Sequence, residues 1–240
     1  MKKLRWEIIF EDEHIIVVNK PATMLTIPDR YDPEIENLYG SLKSYKGDIF
    51  INHRLDKDTS GLILFSKTEE AHKTMSAQFE NREIEKIYLA ILTNTPDIES
   101  GKIDMPISKS NSVKKGVVID PKGKEAITYY QVVESFARHS LVRLKIETGR
   151  MHQIRVHMKS IYCPLVCDNI YGDGRPFLLS HVKHKYKRNK HDVERPLLSR
   201  VGLHSHRLSI KHPESGEEMC FEQELPKDMR AVVNQLRKLA

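Results

Sequence analysis

The chain has 240 residues, 39% hydrophobic and 30% charged, which suits one sizeable domain or two small ones, with a core that needs neither disulfides nor a structural metal. Its 39 Lys and Arg against 33 Asp and Glu leave a formal charge of +6, which favours an anionic partner such as RNA without establishing one. Cys163, Cys167 and Cys220 cannot all pair, Glu7, Glu11 and Asp12 interrupt any signal-peptide core, and no apolar run approaches the ~20 residues that span a bilayer, so a cytoplasmic protein without a membrane partner is expected.

Glu7 to Phe10 and Ile15 to Asn19 are short β-branched runs around EDEH, the pattern of a hairpin. Lys20-Pro21 ends the second strand, because proline has no amide hydrogen for a ladder. Thr23 to Pro33 reads as loop and Ile35 to Tyr45 as a helix. Two strand-like runs, around Ile49 to Ile51 and Leu62 to Phe65, then bracket HRLDKDTSG, His53 to Gly61. A carboxylate, Asp56, between Arg54 and Lys57 on a loop between strands has the placement of a reactive group, although a structural salt-bridge partner would have the same composition.

Thr68 is a plausible helix N-cap, followed by Glu69 and Glu70 in a first turn where the helix dipole favours anions, with Ala71, Met75 and Phe79 as the apolar face. Glu85 to Leu92, EKIYLAIL, alternates as a strand. Ile87, Leu89 and Ile91 share one face, and Lys86, Tyr88 and Ala90 the other. Tyr88 thus points away from the aliphatic side, as a half-buried strand tyrosine or as a site residue. Ser108 to Glu125 carries Lys109, Lys114, Lys115, Lys122 and Lys124 and reads as a basic hairpin or excursion. Ala126 to Glu134 and Ser140 to Glu147 are strands.

Between Gly149 and Ile161 the pattern predicts a helix whose buried stripe is Met151, Ile154, Met158 and Ile161, with His152, Arg155 and Lys159 on a basic face. The turn-rich DNIYGDG follows, and then HVKHKYKRNKH, in which Lys183, Lys185, Lys187, Arg188 and Lys190 stand without an acidic residue. Such a run is either a solvated loop or a phosphate contact. Leu203 to Lys211 and Glu218 to Glu224 form a closing hairpin, and Pro226 starts a last helix with Met229, Val232, Val233 and Leu236 on its apolar side. With no repeat and no linker, a single domain over 1–240 is expected, of α+β class with a largely antiparallel or mixed sheet flanked by helices.

Asp56, Asp58, Ser60 and Gly61 fit the opening of a calcium loop only in part, and the twelfth position is Lys67, where a bidentate Glu is needed. No paired C-x2-C supports zinc, and no phosphate-binding glycine loop supports ATP or NAD. Cofactor-free chemistry on a polyanion is what these exclusions leave.

HRLDKDTSG, EKIYLAIL, TGRMHQIRVHMKSIYCPLVCDNIYG and GLHSHRLSIKHPESGE, in that order, resemble the motif series of the RluA family of RNA pseudouridine synthases, over a span from about Trp6 to the last helix. The resemblance implies an α+β catalytic domain. Members of the family often carry a small RNA-binding domain before it, whereas this chain enters the catalytic pattern almost at once, so a catalytic domain without that separate domain is expected. The implied reaction breaks the N1–C1′ bond of a uridine in structured RNA (tRNA or rRNA), turns the base and rejoins it through C5, with no cofactor or metal. It implies Asp56 as the catalytic carboxylate, Arg155 as the basic residue paired with it, and Tyr88 as the ring that stacks on the uracil. Arg54 would fill the space of the flipped nucleotide, and His53 would support the loop. Lys86 and the basic excursions (Lys114, Lys115, Lys183, Lys185, Lys187, Arg188) are the candidates for RNA contact, and the default state is a monomer. A non-catalytic RNA-binding protein on the same scaffold is the rival reading.

Overall fold

The structure, a computed structural model, describes residues 5–110, 116–183, 186 and 193–239. In chain order the elements are β1 (Glu7–Glu11), β2 (Ile15–Lys20), α1 (Leu38–Lys46), β3 (Phe50–Ile51), β4 (Ser60–Ser66), α2 (Glu69–Glu80), β5 (Glu85–Thr93), β6 (Ser100–Asp104), β7 (Ile107–Lys109), β8 (Val117–Ile119), β9 (Ile127–Phe136), β10 (His139–Ile146), α3 (Gln153–Ser160), α4 (Leu179–Val182), β11 (Leu203–Lys211), β12 (Glu218–Glu222) and α5 (Lys227–Arg237). They form two compact units, Met1–Ile87 with His204–Glu224 and Tyr88–Leu203 with Leu225–Ala240. The sequence pattern offers no linker, and of the three unit boundaries two fall inside strands, β5 and β11, and the third between β12 and α5.

In the first unit β1, β2, β4 and β11 are successive neighbours, with β3 on β4 and β12 on β11. β4 is antiparallel to β2 and parallel to β11, so the sheet is mixed. The EDEH turn closes because Asp12 Oδ1 accepts the amides of His14 and Ile15 at 2.7 and 2.8 Å, an Asx-type turn made by the sequence itself. Every residue of β4 is buried, and Leu62 and Leu64 join Ile15, Val17, Met75, Leu208 and Phe221 in one core. α2 begins where expected, with Thr68 Oγ1 accepting the Ala71 amide. α1 starts three residues later than the apolar pattern suggests, because Asn37 caps it by accepting the Gly40 amide at 2.8 Å, which leaves Ile35 exposed in the preceding turn.

In the second unit the neighbours are β5, β10, β9 and β6, and β7 pairs with β8 in a separate two-stranded hairpin. β6, with Gly101 inside it, was not legible from the sequence. α5 buries Met229, Val232, Val233 and Leu236, as the spacing predicts, against Leu89, Ile91, Phe136 and Leu141. Its start is pinned by Arg200, which donates from Nε and Nη2 to both Asp228 oxygens at 2.8 and 2.9 Å. α3 departs from the expected two-faced helix. Gln153 to Met158 are all buried, so the cover extends beyond the apolar stripe and includes Arg155.

Candidate active site

Asp56 sits half-buried on the loop 52–59 that joins β3 to β4, and bonds within the first unit fix the path of that loop from entry to exit. At its entry, Ser66 Oγ donates to Asn52 Oδ1 at 2.7 Å. Next, His53 takes over the ladder where β3 stops: the Leu64 amide donates to His53 Nε2 at 3.0 Å. That nitrogen must therefore be unprotonated. Burial, with the Lys86 charge adding, pushes this imidazole down to about 3, so the ring stays neutral through the physiological range.

Immediately before Asp56, the Thr26 hydroxyl donates to Leu55 O at 2.7 Å and accepts the Leu55 amide at 3.1 Å, holding both polar groups of one residue. Immediately after it, the fully buried Lys20 ammonium donates to Lys57 O at 3.2 Å, as well as to Pro21 O and Met24 O. The Thr59 amide returns to Asp56 O at 3.1 Å and closes the turn. At the exit, His204 Nε2 donates to Gln223 O, so in the neutral ring Nδ1 accepts the Ser60 hydroxyl at 2.9 Å. Gly61 follows at φ +112°, where an added Cβ would lie 2.2 Å from Ser205 O. The backbone either side of the carboxylate is thereby set before any substrate arrives, and Arg54 is exposed beside it.

The second unit holds Tyr88 and Arg155. Tyr88 is 7% exposed in β5, a strand buried on both faces from Tyr88 to Leu92, so the aliphatic and tyrosine faces are equally covered. Arg155 on α3 makes a bidentate pair with Asp168, Nε to Oδ2 and Nη2 to Oδ1, each at 2.7 Å, with side chains 6% and 0% exposed. Asp168 Oδ1 also accepts the amides of Ile170 and Tyr171. Burial alone would raise the Asp168 carboxyl, but Arg155 and these amides hold it below the usual carboxylate range. The Tyr171 ring lies 5.2 Å from the Arg155 guanidinium carbon. Neither Asp168 nor Tyr171 stands out in the sequence, where DNIYGDG reads only as a turn.

Lys86 departs from its expected place at the RNA. It is 7% exposed, with its ammonium over the Phe79 ring at 5.6 Å, and burial, with Arg82 adding, pushes its pKa down. The β7–β8 hairpin and the turn after it realise the basic excursion, with Lys109 on β7 and Lys122 and Lys124 beyond β8 exposed, while Lys114 and Lys115 lie outside the described residues. Of the second run His181, Val182, Lys183 and Tyr186 are described, with Lys183 exposed just beyond α4, and Lys185, Lys187, Arg188 and Lys190 lie outside. Cys163 and Cys167 are buried as small apolar residues, whereas Cys220 is exposed, and Arg207 Nε donates to its sulfur at 3.0 Å. Among the described residues no three His, Cys, Asp or Glu side chains gather as a metal ligand set, and no helix is long and apolar enough to cross a membrane.

Comparison with known proteins adds to this geometry. Residues 14–160 match the family described as RNA pseudouridylate synthase. Ribosomal large subunit pseudouridine synthase D of Zymomonas mobilis is 38% identical over 96% of this chain and 72% of its own length. The protein of the same name from Escherichia coli K12 is 36% identical over 96% of this chain and 70% of its own. Among solved structures, human RNA pseudouridylate synthase domain containing 4 superposes with a TM-score of 0.71 at 24% identity, covering 96% of this chain and 93% of that one. The human domain-containing 1 protein gives 0.70 at 23%, covering 99% and 98%. At those identities the two structures speak to the fold, which they share with this chain.

Proposed function

Because this chain belongs to the RNA pseudouridylate synthase family and is an RNA-modifying isomerase, we propose that its substrate is a uridine of large-subunit ribosomal RNA and that Asp56 is the reacting carboxylate. The single observation that supports the choice of RNA is the 38% identity, across 96% of the chain, to a protein named for that subunit. Family membership also favours a catalyst over a purely RNA-binding protein, since phosphate contact needs neither a carboxylate nor a tyrosine.

The reaction breaks N1–C1′ of the uridine, turns the uracil and forms C5–C1′. Whether Asp56 attacks C1′ as a nucleophile or removes a proton at C2′ as a base, it must be ionised. A loop whose backbone is fixed on both sides of the carboxylate supports that role, because a reacting atom held in place needs no reorganisation at the moment of reaction. In this proposal Arg155 is the basic residue of the reaction, Tyr88 is the ring against the uracil, and Arg54 takes the space of the flipped nucleotide, offsetting part of the few kcal/mol of lost stacking. The exposed Lys109, Lys122, Lys124 and Lys183 contact phosphates, so RNA affinity should fall with salt. In this proposal residues 1–240 are a single catalytic domain, acting as a monomer in the cytoplasm.

Tritium release from RNA labelled at C5 of uridine tests the chemistry. Wild type should release tritium from large-subunit ribosomal RNA and Asp56→Asn should not, and undiminished release by the variant overturns the assignment. Pseudouridine mapping in cells with and without the gene tests the substrate: a site lost from transfer RNA alone would move the proposal away from the ribosome.

A further inference from the structure

The DNIYGDG turn has no part in the proposed chemistry, yet Tyr171 within it touches both the basic hairpin and Arg155. Its hydroxyl accepts the Val117 amide at 2.8 Å, at the first residue of β8, and lies 3.1 Å from His152 Nδ1. With the Val117 N–H on one lone pair, the hydroxyl proton is available to His152. His152 is the N-cap position of α3, at φ +52° and with no side-chain cap bond, so its imidazole serves Tyr171 instead of the helix end. The ring of Tyr171 meanwhile covers the Arg155 guanidinium carbon at 5.2 Å and stands 6.0 Å from Lys159 Nζ. Its own amide is held by Asp168, the partner of Arg155.

The basic hairpin is tied to α3 at its other strand as well. His157, buried on α3, donates from Nε2 to Met105 O at 2.9 Å, two residues before β7, while its Nδ1 accepts the Thr128 hydroxyl. Ile107, Val117, Ala126, Val156 and Tyr171 close the apolar contact between hairpin and helix. The chain entering β7 and the start of β8 are therefore held by the helix that carries Arg155 and by the turn that follows it.

We propose that Tyr171 is a positioning residue that registers RNA gripped by the β7–β8 hairpin against Arg155, its hydroxyl holding the hairpin and its ring holding the guanidinium. The proposal rests on the pseudouridine synthase reading. The two functions sit on separate parts of one side chain, which makes them separable by substitution. Tyr171→Phe keeps the ring and removes the oxygen. Tyr171→Leu removes both.

Two measurements test this. Amide hydrogen exchange, which needs no substrate, should show Val117 exchanging faster in Tyr171→Phe while the amides of α3 keep their protection. Steady-state turnover on RNA should show KM raised about fivefold in Tyr171→Phe with kcat within about twofold of wild type, the scale of one lost hydrogen bond. Tyr171→Leu should add a kcat loss of about tenfold, from the lost ring over the guanidinium. The proposal is overturned if Val117 exchange is unchanged in Tyr171→Phe, or if the Phe and Leu variants lose kcat equally. Should wild type form no pseudouridine at all, the functional reading fails, and the exchange experiment still decides whether the hydroxyl tethers the hairpin.

Discussion

The loop around Asp56 is held mostly by neutral hydrogen bonds to main-chain groups plus one buried ammonium, whereas Arg155 is held by a buried ion pair. The difference lies in what is being fixed. Bonds from Thr26, His53 and Lys20 to carbonyls and amides set a backbone path and share the task among several partners. The Asp168 carboxylate sets a single guanidinium, and its two oxygens take two of the head group's nitrogens. A distributed clamp should weaken in steps as bonds are removed, while an ion pair away from water should fail when either partner goes.

The largest expected effect comes from breaking the ion pair. Asp168→Ala leaves Arg155 buried without that partner and should cost about 3–5 kcal/mol in urea unfolding, together with most of the activity. A loss below about 1 kcal/mol would show that water or another group replaces the carboxylate at little cost.

On the loop side, Lys20→Met removes the ammonium from three carbonyls and should cost about 2–4 kcal/mol, with less activity lost per unit of stability than in Asp168→Ala. Equal ratios of the two losses would erase the distinction between a shared backbone clamp and a buried ion pair. Gly61→Ala should cost about 2 kcal/mol, since both the positive φ and the Ser205 carbonyl oppose a Cβ. Retention of the wild-type unfolding midpoint would mean that β4 and β11 move apart freely there.

The smallest effect is the pH dependence contributed by His53. A folded imidazole near 3, against 6.5 when unfolded, means that only the unfolded chain takes up this proton between those values. Its contribution is therefore whole above about pH 6.5, declines as pH falls and levels off near 3. The burial that lowers His139 and His157 acts with the same sign. From pH 7 to pH 5 the His53 share should be about 1–2 kcal/mol, read as a lower urea midpoint, and His53→Gln should flatten that slope. An unchanged slope in the variant would assign the dependence to the other histidines.

Much of the framework was legible in the sequence because its signals are local. Thr68 caps α2 through an amide three residues away, Asp12 closes its own turn, and the spacing of Met229, Val232, Val233 and Leu236 defines the buried side of α5 without reference to the rest of the chain. The site was legible in part. The charge and hydroxyl cluster at 53–61 marks the loop, but Lys20, Thr26 and His204, which hold it, lie 37, 29 and 144 residues from the groups they bind. The burial of Lys86 and Arg155 was not legible for one reason: alternation and helical period state which residues share a face, not whether another element covers it.

By itself the sequence determined the strand and helix pattern, the caps, the basic excess and the ordered motifs around Asp56, Tyr88 and Arg155, because each depends on residue type and spacing along the chain. Only the tertiary structure decided that β4 and β11 run parallel with Gly61 against Ser205, that Lys20 spends its ammonium on the Asp56 loop, and that Arg155 belongs to Asp168 and Tyr171. Those are encounters between distant segments, set by where desolvated charges and unpaired backbone groups find partners once the sheet has formed.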